Sequence, residues 1–124
     1  MKEWETSPKK RCLVIEDDEF WKKSHIPFLV GNNCKVVSSY GLFEKPQVII
    51  NDIKENSIQV VIIGGSLGLT TVKNEYRNKI FEEIQKQIPS YVKTISFGSP
   101  FINGADVCLS KWDHDRLSVL IRDQ

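Results

Sequence analysis

Four consecutive acids, Glu16-Asp17-Asp18-Glu19, close a short apolar run, Cys12–Ile15. Carboxylates gathered at a strand end suit a hard cation such as Mg²⁺, provided that several oxygens converge in near-octahedral geometry. A second stretch, Gly64-Gly65-Ser66-Leu67-Gly68-Leu69-Thr70-Thr71, also follows an apolar run. The backbone N–H groups of a glycine-rich loop that opens a helix can cradle phosphate. This loop has neither the Gly-Lys-Ser/Thr of a P-loop nor the spacing of G-x-G-x-x-G. A connection in which Thr70 or Thr71 caps the next helix is therefore the stronger reading, and small-ligand or nucleotide sensing through residues 64–71 is the alternative. Lys111 follows the run Asp106–Ser110 and offers a cation that can pair with Glu16 or Asp17 as a structural salt link. His25 and His114 have no nucleophile at a recognisable spacing, so no catalytic residue is assigned. The three cysteines, Cys12, Cys34 and Cys108, are odd in number and lack C-x-x-C spacing. That pattern excludes a zinc ribbon or a disulfide framework and predicts buried free thiols.

The elements that must position these residues alternate. Strands are expected at Cys12–Ile15, Lys35–Tyr40, Ile58–Ile63, Tyr91–Phe97 and Asp106–Ser110. Ile58–Ile63 is β-branched and free of charge, as buried parallel strands are. Asp18 is placed to cap a helix whose inner face draws on Phe20, Trp21, Phe28 and Leu29, with Pro27 kinking or shortening it. A second helix opens at Pro46 and turns Val48, Ile49 and Ile53 inward. A third carries Val72, Tyr76, Ile80, Ile84 and Ile88 as an apolar stripe with Phe81 beside it, and Pro89 ends it. The last spans Asp113–Ile121, with Asp113 as its cap and Leu117, Leu120 and Ile121 inward. Strands alternating with helices predict an α/β domain: a three-layer open parallel five-stranded sheet with helices on both faces. Ligands of such sheets gather at the carboxyl ends of the strands, where Glu16, Asp17, Gly64, Ser96 and Lys111 all stand.

Composition narrows the classes. The chain has 124 residues, 17 Lys plus Arg against 16 Asp plus Glu, and a net charge of +1. That is one domain, read as 11–124 behind a polar mobile tail, 1–10. The near-neutral balance argues against nucleic acid as a partner. No apolar run approaches the roughly 20 residues of a membrane span, and no secretory h-region opens the chain, which predicts a cytoplasmic protein without a membrane partner.

Two segments carry a family resemblance. Val14-Ile15-Glu16-Asp17-Asp18-Glu19 resembles the acidic motif of response-regulator receiver domains, in which two adjacent acids hold Mg²⁺. Gly104-Ala105-Asp106-Val107-Cys108-Leu109-Ser110-Lys111 is similar to the segment bearing that family's phosphoryl-contacting lysine. The resemblance covers about residues 11–122 and implies a receiver/flavodoxin-like sheet with strand one central, flanked by two and three, then four and five.

The departures from that pattern set the functional expectation. The phosphoacceptor aspartate of a receiver directly follows strand three, and here that position is Gly64, which has no side chain to phosphorylate and no carboxylate for a metal. No cofactor and no metal site are expected, and Glu16, Asp17, Gly64, Ser96 and Lys111 read as a vestigial phosphorylation pocket. Phe97–Ala105 is too short for a crossover through a helix, which predicts that the fourth helix is shortened or missing. Where the family usually has proline after the lysine, this chain has Trp112. The resemblance thus implies a pseudoreceiver that signals by protein contact without phosphorylation, not an enzyme. Phe101, Cys108 and Trp112 are the interface candidates, and a second copy of the chain is among the partners expected. With no helix-turn-helix segment after the domain, output is expected through a separate protein.

Overall fold

The computed structural model describes residues 9–41, 45–64, 71–98, 101–102 and 104–123. Five strands, β1 (Lys10–Ile15), β2 (Cys34–Tyr40), β3 (Val60–Gly64), β4 (Lys93–Phe97) and β5 (Val107–Leu109), form one sheet in the order β2-β1-β3-β4-β5. Every pairing is parallel. Among the described residues four α-helices accompany them: α1 (Ile26–Val30), α2 (Pro46–Glu55), α3 (Thr71–Gln87) and α4 (His114–Arg122). The receiver/flavodoxin-like α/β architecture expected from the sequence is therefore the one observed. The strand ends differ slightly from those expected, since β1 already begins at Lys10, and residues 1–8 of the expected tail lie outside the described residues.

Side-chain alternation along the strands sorts the core into two layers. On one face Leu13, Ile15, Val61 and Ile63 meet Ile49, Ile50 and Ile53 of α2 and Ile80, Phe81 and Ile84 of α3. On the other, Cys12, Val14, Val60, Ile62, Ile95 and Phe97 meet Ile26 and Val30 of α1 and Leu117 and Ile121 of α4. Val48, expected inward on α2, is exposed and Ile50 takes its place. The side chains of Val72 and Tyr76 lie outside what the structure describes.

The first helical segment departs from expectation in an informative way. Asp18 does cap it, its Oδ1 accepting the N–H groups of Phe20 and Trp21 at 2.9 and 3.2 Å. Trp21–His25 then forms a π-turn, with the N–H of Ile26 donating to the carbonyl of Trp21. The wider turn leads into α1 with Pro27 in its first turn, where a missing N–H does not break the helix. It also changes the phase of the inner face, which runs Trp21, Ile26, Val30 in steps of five and then four. Phe20 and Phe28, expected inward on uniform α-helical spacing, are exposed instead. Gly31, at φ 55°, ends the helix.

Among the described residues no helix joins β4 to β5, as the short segment predicted. Polar links replace it. Asp106 Oδ2 accepts Thr94 N–H at 2.8 Å and the Thr94 hydroxyl at 3.1 Å, and Thr94 Oγ1 accepts Asp106 N–H at 3.0 Å. Ile102 N–H donates to Ser96 Oγ at 2.9 Å, which seats the buried Ile102 side chain in the α2–α3 layer. Gly98 and Gly104, at φ 105° and 88°, make the reversals that a side chain would resist. Asp106→Ala should therefore destabilise the domain by about 1–3 kcal/mol, because it leaves a buried Thr94 N–H unpaired. Urea denaturation followed by circular dichroism measures this, and a loss below a few tenths of a kcal/mol would show that the bracket does not hold the loop.

Candidate functional site

Glu16 has the same parity as Cys12 and Val14, so its side chain enters the α1–α4 face of the sheet at the carboxyl end of β1. Its N–H donates to the Tyr40 carbonyl at 3.0 Å, extending the β1–β2 ladder by one step. The residue is only 1% exposed. Lys111 reaches in from the turn ahead of α4, and its Nζ lies 2.6 Å from Glu16 Oε1. The same ammonium stands 4.3 Å from the centroid of the Trp21 ring, a cation–π contact made possible by the inward turn of the π-segment. Trp21 in turn rests edge-on against Phe97 of β4 and is tilted over His25. His25 is thus held among aromatic rings, with no nucleophile beside it among the described contacts.

Gly64 completes the arrangement from below. A Cβ placed on Gly64 would fall deep inside contact distance of the Glu16 carboxyl carbon and Oε2, and even Oε1 would be only 2.9 Å away. The Glu16 carboxylate therefore fills the volume into which any side chain at position 64 would grow. Of the expected pocket residues, Glu16, Gly64 and Lys111 come together. Asp17 follows Glu16 and is half-buried. Ser96 does not join them: β3 and β4 pair Gly64 with Phe97, while Ser96 stands opposite Ile63 and commits its hydroxyl to Ile102 N–H. Alternation alone separates Ser96 from Phe97, and that parity is the signal from which the difference is legible in the sequence.

The arrangement suits a salt link and not a cation site. Magnesium needs several oxygens, but Gly64 supplies none and the buried carboxylate of Glu16 is already bound to an ammonium. Among the described residues no three His, Cys, Asp or Glu side chains converge on one point. The glycine-rich loop read as an alternative ligand site falls at 65–70, outside the described residues.

Electrostatics at the site is dominated by burial, which pushes the Glu16 carboxyl above its ordinary value. The hydrogen bond and charge of Lys111 act against that rise, and the charge of Asp18 adds to it. A second carboxylate, missed by the sequence reading, behaves oppositely. Burial would raise Asp52 of α2, but hydrogen bonds from Ser38, Tyr40 and Asn56 outweigh it and hold the group below its ordinary value. The Tyr40 hydroxyl donates to Asp52 Oδ2 at 2.5 Å, fastening the end of β2 to α2.

The interface candidates lie on the β5 side. Phe101 is 44% exposed and Trp112 81% exposed. Cys108 is also exposed, which corrects the expectation of a buried thiol. Cys12 and Cys34 depart from expectation as well: they are buried as predicted, but are joined to each other as a disulfide. The two residues reach one another because neighbouring strands place them on the same face, a proximity that spacing along the chain does not reveal.

No protein-family model matches the chain, and no curated protein does. Solved structures do. A cobalamin-binding protein from Desulfitobacterium hafniense DCB-2 superposes with a TM-score of 0.65 at 17% identity, over 91% of this chain and 58% of that one. The chain thus spans less than two thirds of that protein's length. The response regulator domain of Thermotoga maritima CheB gives 0.55 at 14% identity, over 94% of this chain and 96% of the other. The fold is that of receiver domains. The signal receiver domain of the putative response regulator NarL from Mycobacterium tuberculosis agrees, with 0.55 at 12% identity over 94% and 98% of the two chains. Among the described residues no helix is long and apolar enough to cross a membrane.

Three outcomes are expected from this site. Lys111→Met strands a buried carboxylate and should cost about 3–5 kcal/mol, whereas Glu16→Leu with Lys111→Met should come close to the parent in urea denaturation. Gly64→Ala should cost about 1–3 kcal/mol by overpacking, and most of that cost should vanish in a Glu16→Ala background; additivity of the two would show that the carboxylate does not occupy the volume above Gly64. The pH dependence has two limbs. Glu16 binds its proton more readily folded than unfolded, so its contribution is full below the ordinary carboxyl value and is lost as pH rises through the raised folded value. Asp52 contributes fully above its unfolded value and loses that contribution as pH falls through its lowered folded value. Side-chain carboxyl NMR titration of the two groups checks both signs.

Proposed function

We propose that this chain is a phosphorylation-independent regulatory domain, a pseudoreceiver that acts through protein contacts in the cytoplasm and catalyses no reaction. The observation that carries this reading is the Glu16 carboxylate lying over Gly64 and paired with Lys111 at 2.6 Å. In the receiver pattern described above, the acceptor carboxylate, the metal and the incoming phosphoryl group need that space. Here an internal ion pair fills it, and the lysine that would contact a phosphoryl oxygen already has an anion.

The contact surface proposed is the β5 side, comprising Phe101, Cys108 and Trp112. A large indole left in water is the kind of group that anchors interfaces, and the missing helix leaves β5 as an open sheet edge among the described residues. The partner is a protein, with a second copy of the chain as the first candidate to examine.

Intact-mass analysis after incubation with Mg²⁺ and a small phosphodonor tests the mechanism: no phosphoryl adduct is expected. ¹H–¹⁵N spectra recorded with Mg²⁺, nucleotides and cobalamin should show no saturable shift at Glu16, Gly64 or Lys111. A stable phosphoryl adduct would overturn the phosphorylation-independent reading, and a saturable ligand response would replace it with ligand sensing. Trp112→Glu should abolish whatever association sedimentation velocity detects for the parent, without lowering its melting temperature. Association unchanged by both Trp112→Glu and Phe101→Glu would place the interface elsewhere.

A further inference from the structure

Cys12 lies on the interior strand β1 and Cys34 opens the edge strand β2 beside it. The β1–β2 register aligns Lys10 with Cys34 and Cys12 with Val36, so the two cysteines are diagonal neighbours on one face, with Cα atoms 6.2 Å apart. That separation lies within the range a disulfide spans. Two further features bear on the pair. The ladder skips between Cys12 and Leu13, whose partners are Val36 and Ser38, so backbone pairing is interrupted just beyond the crosslink. The residue before Cys34 is also anchored: Asn33 Nδ2 donates to Ser118 Oγ at 2.7 Å and to the Ser118 carbonyl at 3.2 Å, tying this end of β2 to α4. The two sulfurs are thus presented to each other by contacts that do not depend on the bond between them.

We infer that Cys12 and Cys34 form a reversible dithiol–disulfide site that fastens the edge strand β2 to its neighbour β1 where their ladder is interrupted. In a reducing compartment such pairs are usually transient and redox-sensing rather than permanent. The oxidant class is a small disulfide such as oxidised glutathione. Cys34, 5% exposed and on the sheet edge, is the entry point, because Cys12 is fully buried. The Cys34 thiolate attacks one glutathione sulfur, the glutathione S–S bond breaks, and one glutathione thiolate leaves. The Cys12 thiolate then attacks Cys34 Sγ in the mixed disulfide and displaces the second glutathione. The two cysteines give up two electrons and two protons, which end on two glutathione thiols. The loop so closed holds Glu16, the acidic turn and α1, so oxidation stiffens the segment that carries the buried carboxylate. This site is independent of whether the domain is a pseudoreceiver.

The full chain bearing Cys108→Ser, which removes the third thiol, provides the test. It is equilibrated with oxidised glutathione or with dithiothreitol, denatured, alkylated with a maleimide and weighed intact. Addition of no maleimide to the oxidised form and of two to the reduced form is expected, with the oxidised form melting higher by on the order of 10 °C. Amides of residues 34–37 should exchange faster after reduction. Two alkylated thiols after oxidation, or a glutathione adduct on Cys34 as the end product, would overturn the inference. So would equal melting and exchange in the two forms. Introducing Cys12→Val should remove the redox dependence of melting, and its persistence would also overturn the assignment; should that variant not fold, the thiol count and melting of the Cys108→Ser chain alone decide.

Discussion

The contact between the Glu16 carboxylate and the Lys111 ammonium organises the carboxyl end of the sheet. Its partners are 95 residues apart, one at the end of β1 and the other in the turn leading to α4. Withdrawing two charges from water is expensive, and their attraction repays the cost only where geometry is close and other polar atoms are served. The surroundings answer that demand in part. Trp21 offers a π-face to the ammonium, while the second carboxylate oxygen, Oε2, has no hydrogen-bond partner among the described residues. That partial satisfaction agrees with a carboxyl group pushed upward by burial. Each neighbouring element is then constrained: position 64 must lack a Cβ, and the helix after β1 must turn Trp21 inward, which the π-turn achieves.

The other departure from a regular β-α alternation lies between β4 and β5. A crossover helix would cover the α3 side of the sheet edge with its own apolar stripe. Among the described residues, Ile102, with Ala105 packed beside it, fills the layer in its place, and the backbone around them is held by Ser96, Thr94 and Asp106. Gln85 of α3 reaches the same loop, its amide donating to the Gly104 carbonyl at 3.2 Å. The loop is thus built from specific hydrogen bonds where a helix would use its own internal ladder. On the β5 side, Cys108 and Trp112 meet solvent.

Much of this was legible in the chain. Uncharged β-branched runs mark the buried strands, Asp18 announces its cap, and the strand-end positions point Lys111 to Glu16 or Asp17, of which Glu16 is the partner. The misreadings have identifiable causes. Uniform α-helical spacing turns Phe20 and Phe28 inward, but the segment contains a π-turn. Position near a strand end groups Ser96 with the pocket, whereas side-chain parity points it to the opposite layer. The Cys12–Cys34 contact depends on register between strands, and the Asp52 cluster on a tertiary meeting of β2 with α2; neither leaves a local pattern. That Glu16 would lie above Gly64, and not beside it, depends on side-chain reach within a packed layer.

The clash at Gly64 also bears on how this sequence can change over generations. A chain of this kind cannot pass from glycine to aspartate at position 64 while Glu16 keeps its length and its place, because the intermediate would drive a buried carboxylate into a second one. Position 16 has to shorten or swing outward first, and that step alone leaves the Lys111 ammonium without its anion. The two substitutions are ordered, and the first carries its own penalty. The present arrangement is accordingly hard to leave by a single substitution: an acid at position 64 has to wait for a change at position 16.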